Sequence, residues 1–501
     1  MSSQKKAGVL LSYLSQGIQI LSGLIYTPIM LRLLGQNEFG LYQLVYSVVS
    51  YLSLLSLGFN ASYMRFYARL KVNNNEEEIN RLNGMFMTIF IILAFVCLLC
   101  GVVLLINIKY VFARGLTSRE YPIAKTLMIL MVFNLALTFP NSVFDALTSA
   151  HEQFVFQKTI NILQNIINPF IALPMLLLGY GSIGMVMAST VLIIIKLFIN
   201  AYYCLKKLHI KFTFNGFKFQ LLKEMWIFTF YIFLNQIIDQ VNWSVDKFLL
   251  GRIVGTSSVA IYGLGAQINS MYIQFSTSVS SVFSPKINQI IATNNDNCEL
   301  TLLFTRVGRI QFMILFFVLS GFLYFGKSFI GFWGGTGYGD TYYITVLLIT
   351  IVTVPLIQSL GLEIQRAKNM HKVRSIVYLL IAIANIFISI PLINFYGAIG
   401  AAIGTALSLT VGNVIFMNWY YHYKVGLNMF YFWKEILKFA RAMILPTIVG
   451  IFLSSSNYKN VWLFIIAIII YSFSYGLSMW LLGMNLYEKQ LIRKCIIYSK
   501  K

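Results

Sequence analysis

Charge is scarce in this chain. Asp, Glu, Lys and Arg together make up 11% of the 501 residues, against 58% hydrophobic, whereas a water-facing surface carries roughly 25–35% charged residues. That balance excludes a sizeable soluble domain and puts nearly all of the mass in a bilayer. Acidic residues are the scarcest: 16 stand against 38 Lys and Arg, for a net charge of +22. In a soluble protein such a surplus points to nucleic acid. Here the retention of Lys and Arg in cytoplasmic loops accounts for it, and no nucleic-acid partner is expected.

Other absences narrow the field further. The five cysteines, Cys97, Cys100, Cys204, Cys298 and Cys495, form neither a disulfide framework nor a zinc pattern. All four histidines (His151, His209, His371, His422) fall in expected loops, so no histidine proton relay is expected. The run Gly334-Gly335-Thr336-Gly337-Tyr338-Gly339 lacks the following Lys-Ser/Thr of a phosphate loop and reads as a turn. No loop exceeds about twenty residues, too little for the acidic catalytic loop of a membrane glycosyltransferase. Neither an enzyme nor a cofactor or metal site is expected.

What the chain does have is long apolar runs. A membrane helix takes ~20 apolar residues, and fourteen runs qualify. Six lie near 8–34, 40–68, 83–108, 122–148, 159–179 and 182–205. Six more lie near 225–252, 258–290, 303–326, 341–364, 375–394 and 397–420, and two last ones near 438–454 and 461–483. Lys5 and Lys6 precede a first run far longer than a signal-peptide core, so that run is expected to stay as an anchor. With both termini in the cytoplasm, most of the 38 basic residues fall on that side.

The chain also repeats itself. Arg32, Gly35 and Tyr42 recur as Arg252, Gly255 and Tyr262; Ala150, Asn168 and Pro174 recur as Ala367, Asn385 and Pro391. Tyr180-Gly181-Ser182-Ile183-Gly184 recurs as Tyr396-Gly397-Ala398-Ile399-Gly400, and Asn200, Tyr202 and Tyr203 as Asn418, Tyr420 and Tyr421. Six helices per copy make both copies enter from the same side, so they relate by a pseudo-twofold axis along the membrane normal. The expected fold class is therefore all-α and polytopic, with two six-helix lobes and two extra helices. Its parts are a first lobe over 1–205, a cytoplasmic linker over 206–224, a second lobe over 225–424, and helices 13 and 14 with a basic tail over 425–501. A duplicated membrane chain of this kind points to a transporter.

Several stretches resemble the polysaccharide-exporter branch of the multidrug/oligosaccharidyl-lipid/polysaccharide (MOP) superfamily. They are Asp246-Lys247-Phe248-Leu249-Leu250-Gly251 with Val259-Ala260-Ile261-Tyr262, then Leu57-Gly58 with Arg65, Ala68 and Glu76 to Leu82, and Gly397 to Thr405. The resemblance implies a V-shaped bundle that flips lipid-linked oligosaccharides to the outer leaflet of the bacterial inner membrane by alternating access. Its cargo would be a sugar unit on undecaprenyl pyrophosphate, destined for O-antigen, other lipopolysaccharide or capsule. Membrane lipids and polysaccharide polymerase or assembly proteins are the partners it implies. The similar peptidoglycan-precursor flippases carry a basic residue deep in helix 1, whereas residues 8–31 here are uncharged. Two rivals stand: a cation-coupled multidrug exporter, expected to have an acidic cavity and twelve helices, and a non-transporting membrane partner of an assembly complex.

Polar residues inside apolar helices are the candidate site, because a charge at mid-membrane costs at least ~2.5–3.5 kcal/mol. Helix 7 carries Asn235, Asp239, Asn242 and Asp246 at spacings of 4, 3 and 4, with Gln236 and Trp243 flanking. The stripe either lines a cavity for sugar hydroxyls and a coupling proton or sodium ion, or forms a polar seam against a neighbouring helix. Arg32 and Arg252, and Arg65 and Lys286, are candidate pyrophosphate contacts; as cations at helix ends they also suit snorkelling to water. Lys196 lies deep within a span, read as a stem snorkelling along lipid, while Asp145 and Glu363 are expected to pair with loop cations.

Overall fold

Apolar runs in a bilayer satisfy their own backbone groups only as helices or closed barrels. The computed structural model is helical, with no strand among the described residues. It describes residues 3–498 except 73–74, 113–114, 217–218, 281–282, 294–295, 369, 456–457 and 459. Among these, eight helices are long and apolar enough to cross a membrane, or ten if each of two bent pairs counts as one span. Two of the eight, Leu11–Ser56 and Val373–Val425, run 46 and 53 residues, far beyond the ~20 one crossing needs. Each is two expected spans meeting at a non-helical glycine, Gly35 (φ 74°) in one and Gly397 (φ 55°) in the other. Only glycine takes such a φ without steric cost. The count is compatible with fourteen spans.

The chain divides into two compact units. The first comprises Met1–Gly263 with Ile393–Gly397. It holds α1 (Ser3–Ser50), α2 (Phe59–Val72), α3 (Glu76–Ile106), α4 (Ile108–Phe112), α5 (Glu120–Ala150), α6 (Phe154–Leu177), α7 (Gly181–Tyr202), α8 (Phe219–Ile253) and the start of α9 (Thr256–Ser280). The expected second span does not run unbroken over 40–68. A 3-10 stretch at Tyr51–Ser56 and left-handed Leu57 and Gly58 separate α1 from α2. The core stacks Tyr63 on Phe86 (4.7 Å between ring centroids), and Phe90 packs tilted against Phe86 at 4.6 Å. Local signals set helix starts: Asn75 accepts from the Glu78 amide at 3.1 Å, ahead of three glutamates in the first turn of α3.

After α7 the chain docks on α3. The Thr213 amide donates to Asn80 O at 3.0 Å and Asn83 Nδ2 to Lys211 O at 3.2 Å, while Tyr63 donates to Asn83 Oδ1 at 2.8 Å. Part of the expected linker is therefore tied to the first unit.

The second unit comprises Leu264–Leu392 and Ala398–Lys501. It holds most of α9, α10 (Ser284–Thr293), α11 (Asn297–Trp333), α12 (Thr341–Ile357), α13 (Leu360–Ala367), α14 (His371–Leu409) apart from Ile393–Gly397, α15 (Met417–Tyr420), α16 (Met429–Leu437), α17 (Ala440–Ser454), α18 (Val461–Ser478) and α19 (Leu486–Tyr498). α12 bends by 44° into α13, and α16 by 41° into α17. Its core centres on Phe304, Tyr421 and Phe432, with a second cluster where Tyr471 and Phe464 of α18 meet Phe325 and Phe439. The outer surface keeps large apolar side chains such as Phe473, 72% exposed, as a lipid-facing helix requires.

Candidate functional site

α8 is a helix of 35 residues, and its polar residues fall on two faces. The expected stripe lies on one: Asn242 and Asp246 are buried, and Asp246 Oδ2 accepts from Tyr262 Oη at 2.6 Å. The side chains of Asn235 and Asp239 lie outside the described residues. Trp243 is 41% exposed, and Gln236 Oε1 is buried without a hydrogen-bond partner among the described residues. The second face turns toward α1. Lys247 Nζ donates to Gln43 Oε1 at 3.1 Å, and Gln240 Nε2 donates to Ser50 Oγ at 2.5 Å and Ser244 Oγ at 2.8 Å.

Gln240 also borders a cavity of about 380 Å³ inside the first unit. Tyr42, Tyr46, Ser50 and Ser53 line it from α1 and its 3-10 extension, Asn134 and Thr138 from α5, and Ser189 from α7; the rest of the wall is aliphatic. These positions recur at three- or four-residue steps, so each helix offers one polar face. Asn134 is buried, and its Oδ1 has no partner among the described residues. The composition of the chain gave no hint of these residues. Their signal was only that spacing, since hydroxyls and amides stand out less than charges in an apolar helix.

Arg32, Arg65, Arg252 and Lys286 are all exposed. Arg252 occupies the last turn of α8. Its repeat mate Arg32 lies three residues before Gly35, as Arg252 does before Gly255, and both glycines take positive φ.

Lys196 does not run out along lipid. It donates to Asn161 Oδ1 at 2.9 Å and sits 3.8 Å from Asp145 Oδ2. Asp145 also accepts from Asn200 Nδ2 at 3.1 Å and from Asn141 Nδ2 at 3.3 Å, and Asn200 bonds Asn141 at 2.9 Å. A charge pair ringed by amides thus bridges α5, α6 and α7, the geometry a membrane interior demands of paired charges. Glu363 meets a local cation as expected, Arg366 at 3.0 Å. Among the described residues no group of three or more His, Cys, Asp or Glu is placed to hold a metal ion.

The sequence pattern of the polysaccharide biosynthesis protein family matches residues 6–291, more than half of the chain. The chain belongs to this family. It is 22% identical over 411 residues to a putative O-antigen transporter of Shigella flexneri, covering 78% of this chain and 91% of that one. A probable flippase, AglR of Haloferax volcanii, is 25% identical over 176 residues, 35% of this chain and 37% of that one. The chain therefore spans little more than a third of that relative's length. In fold it is similar to the lipid II flippase MurJ in an inward closed conformation, with a TM-score of 0.72 at 14% identity, covering 97% and 99% of the two chains. An inward-facing MATE multidrug transporter of the MOP superfamily matches with a TM-score of 0.68 over 81% and 93%. Family membership and eight to ten candidate spans among the described residues make the chain a multi-pass membrane protein whose named relatives are a putative transporter and a probable flippase.

Proposed function

We propose that this protein carries an undecaprenyl-pyrophosphate-linked oligosaccharide from the cytoplasmic to the outer leaflet of the bacterial plasma membrane by alternating access, for surface polysaccharide such as O-antigen or capsule. The observation that carries this reading is the hydroxyl- and amide-lined cavity among otherwise apolar helices. A sugar leaving water loses its hydrogen bonds, at a cost of several kcal/mol per unmet group, and such a wall replaces them. The carrier tail has no such need and stays in lipid. The family and the two named relatives support the same reading.

On this reading Arg32 and Arg252 meet the pyrophosphate on the outer side, and Arg65 with Lys286 on the cytoplasmic side, where both termini lie. Outward movement of the negative headgroup is assisted by an inside-negative potential, by ~2.3 kcal/mol per charge at 100 mV. Asp239 and Asp246 are the candidates for added proton or sodium coupling. Polymerase and assembly proteins would receive the product. The multidrug alternative calls for an acidic cavity, yet among the described residues no carboxylate lines this one.

The test is a deletion strain complemented with plasmid copies. Loss of the protein is expected to strand the lipid-linked unit on the cytoplasmic face and abolish surface polymer. Unchanged surface polymer in the deletion strain defeats the proposal. If Asp239→Asn and Asp246→Asn each export at the wild-type rate, the coupling role is lost and the transport role survives.

A further inference from the structure

The donor and acceptor inventory of the first unit's cavity narrows what it can hold. Its serine and threonine hydroxyl protons are already committed to carbonyls, so its remaining donors are the Tyr42 and Tyr46 hydroxyls and the Asn134 amide nitrogen. Ser50 Oγ donates to Ser47 O at 2.8 Å, Ser53 Oγ to Ser50 O at 2.7 Å and Thr138 Oγ1 to Leu135 O at 2.7 Å, and the Ser189 proton is shared between Met185 O at 3.1 Å and Asn168 Oδ1 at 3.3 Å. Each hydroxyl oxygen is left with lone pairs, and the Asn134 carbonyl oxygen is unpaired among the described residues. The amide nitrogen of Gln240 is spent on Ser50 and Ser244. The wall is therefore rich in acceptors, and among the described residues none that lines it is charged.

A pyrophosphate is all acceptors and anionic charge, and among the described residues this wall offers it no cation and only a few neutral donors. A sugar ring is the opposite case, with hydroxyl and amide hydrogens to donate and an apolar C–H face. Tyr42 and Tyr46 supply a surface for that face, their rings stacked at 6.4 Å with planes 16° apart. A volume of about 380 Å³ lies at the low end of the ~300–1,000 Å³ usual for small-molecule sites, which suits one sugar unit rather than a whole oligosaccharide.

We infer that this cavity seats a single uncharged sugar ring of the cargo, through Asn134, Gln240 and the Tyr42–Tyr46 platform, and that the pyrophosphate is bound elsewhere. The inference rests on the proposed oligosaccharide flippase function but fails separately from it. It makes sugar selection a property of α1, α5, α7 and α8, remote in chemistry from the carrier's anionic group.

The probes are free glucose, galactose, N-acetylglucosamine and N-acetylgalactosamine, then glucuronate, pyrophosphate and sodium chloride, each added to the full-length protein in nanodiscs. Saturation-transfer NMR is expected to show ring protons of at least one neutral sugar in contact with the protein, and none from glucuronate at equal concentration. Asn134→Leu and Tyr42→Leu are each expected to weaken that contact about fivefold, the worth of one ordinary hydrogen bond or ring contact. Ser189→Ala, a milder change, is expected to weaken it less while leaving thermal unfolding unchanged, which separates lost binding from lost folding. Neutral sugars that give no contact, or contact untouched in all three variants, overturn the inference. So does Asn134-dependent stabilisation by sodium chloride or pyrophosphate without any sugar contact. If these variants export normally in cells that need the wild-type protein, the sugar seat is wrong and the flippase reading stands.

Discussion

Arg309 holds Glu488 in a two-pronged grip, Nε to Oε1 at 2.6 Å and Nη2 to Oε2 at 3.1 Å. The same guanidinium donates to Gly483 O at 2.9 Å, Glu435 O at 2.7 Å and Glu435 Oε2 at 3.4 Å, and lies 4.4 Å over the Phe439 ring. Arg309 and Glu488 are both nearly inaccessible, so α19 is fastened to α11 by a buried charge pair whose donors are fully used. Removing Arg309 leaves Glu488 charged without its partner, at ~3–5 kcal/mol, whereas removing Glu488 leaves Arg309 only Glu435, 3.4 Å from its Nη1. Arg309→Met and Glu488→Leu are each expected to lower the thermal midpoint of the protein in detergent sharply. The double variant, which removes both charges, is expected to be more stable than either single one. Singles as stable as the wild type remove this role.

The Asp145–Lys196 pair makes a related but weaker case, because its side chains are 29% and 17% exposed. Lys196→Met leaves the carboxylate held only by Asn141 and Asn200 amides, so loss of folded yield is expected. Adding Asp145→Asn removes the stranded charge and is expected to restore most of it. A double variant as poor as Lys196→Met shows that lysine packing, not charge pairing, is what matters.

Gly181 is constrained twice. Its φ is +57°, and a Cβ there would sit 2.2 Å from Glu38 Oε1. That oxygen accepts from the Ser182 amide at 2.6 Å and the Ser182 hydroxyl at 2.7 Å, capping α7 from a residue 144 positions earlier. Gly181→Ala pays for the left-handed backbone, ~1–2 kcal/mol, and displaces the cap, worth ~1 kcal/mol. Glu38→Gln weakens only the cap. Thermal unfolding is expected to rank wild type above Glu38→Gln above Gly181→Ala; the reverse order refutes the capping account.

The repeat was legible in the sequence, and it extends to individual bonds. Ser189 Oγ shares its proton with Asn168 Oδ1 at 3.3 Å, and Thr405 Oγ1, at the corresponding place in the second copy, donates to Asn385 Oδ1 at 3.4 Å. Asn168 and Asn385 were visible as repeat mates; their partners were not, since Ser and Thr are interchangeable at such a bond. Charges in apolar runs also drew notice, but their partners did not. That Lys196 meets Asp145 rather than lipid follows from α5 packing on α7, which periodicity alone does not reveal. The cavity wall was missed for a physical reason: Ser and Thr return their protons to carbonyls one turn back, so they cost little in an apolar helix and leave no strong signal. The break at Leu57 was hidden too, because the apolar pattern runs through it.

Topology yields the last prediction. Among the described residues the free cysteines differ in access: Cys97 and Cys204 are buried, Cys100 is half-buried within α3, and Cys298 is exposed at the start of α11. The proposed orientation puts Cys298 on the cytoplasmic side. In a Cys495→Ser background, a charged, membrane-impermeant maleimide is expected to label Cys298 in inside-out vesicles and to leave right-side-out vesicles unlabelled. Cys298→Ala is expected to abolish the signal, since the other thiols lie within helices that a charged reagent does not reach. Labelling from the outer side alone would invert the orientation, and would move Arg32 and Arg252 to the face where the cargo is loaded.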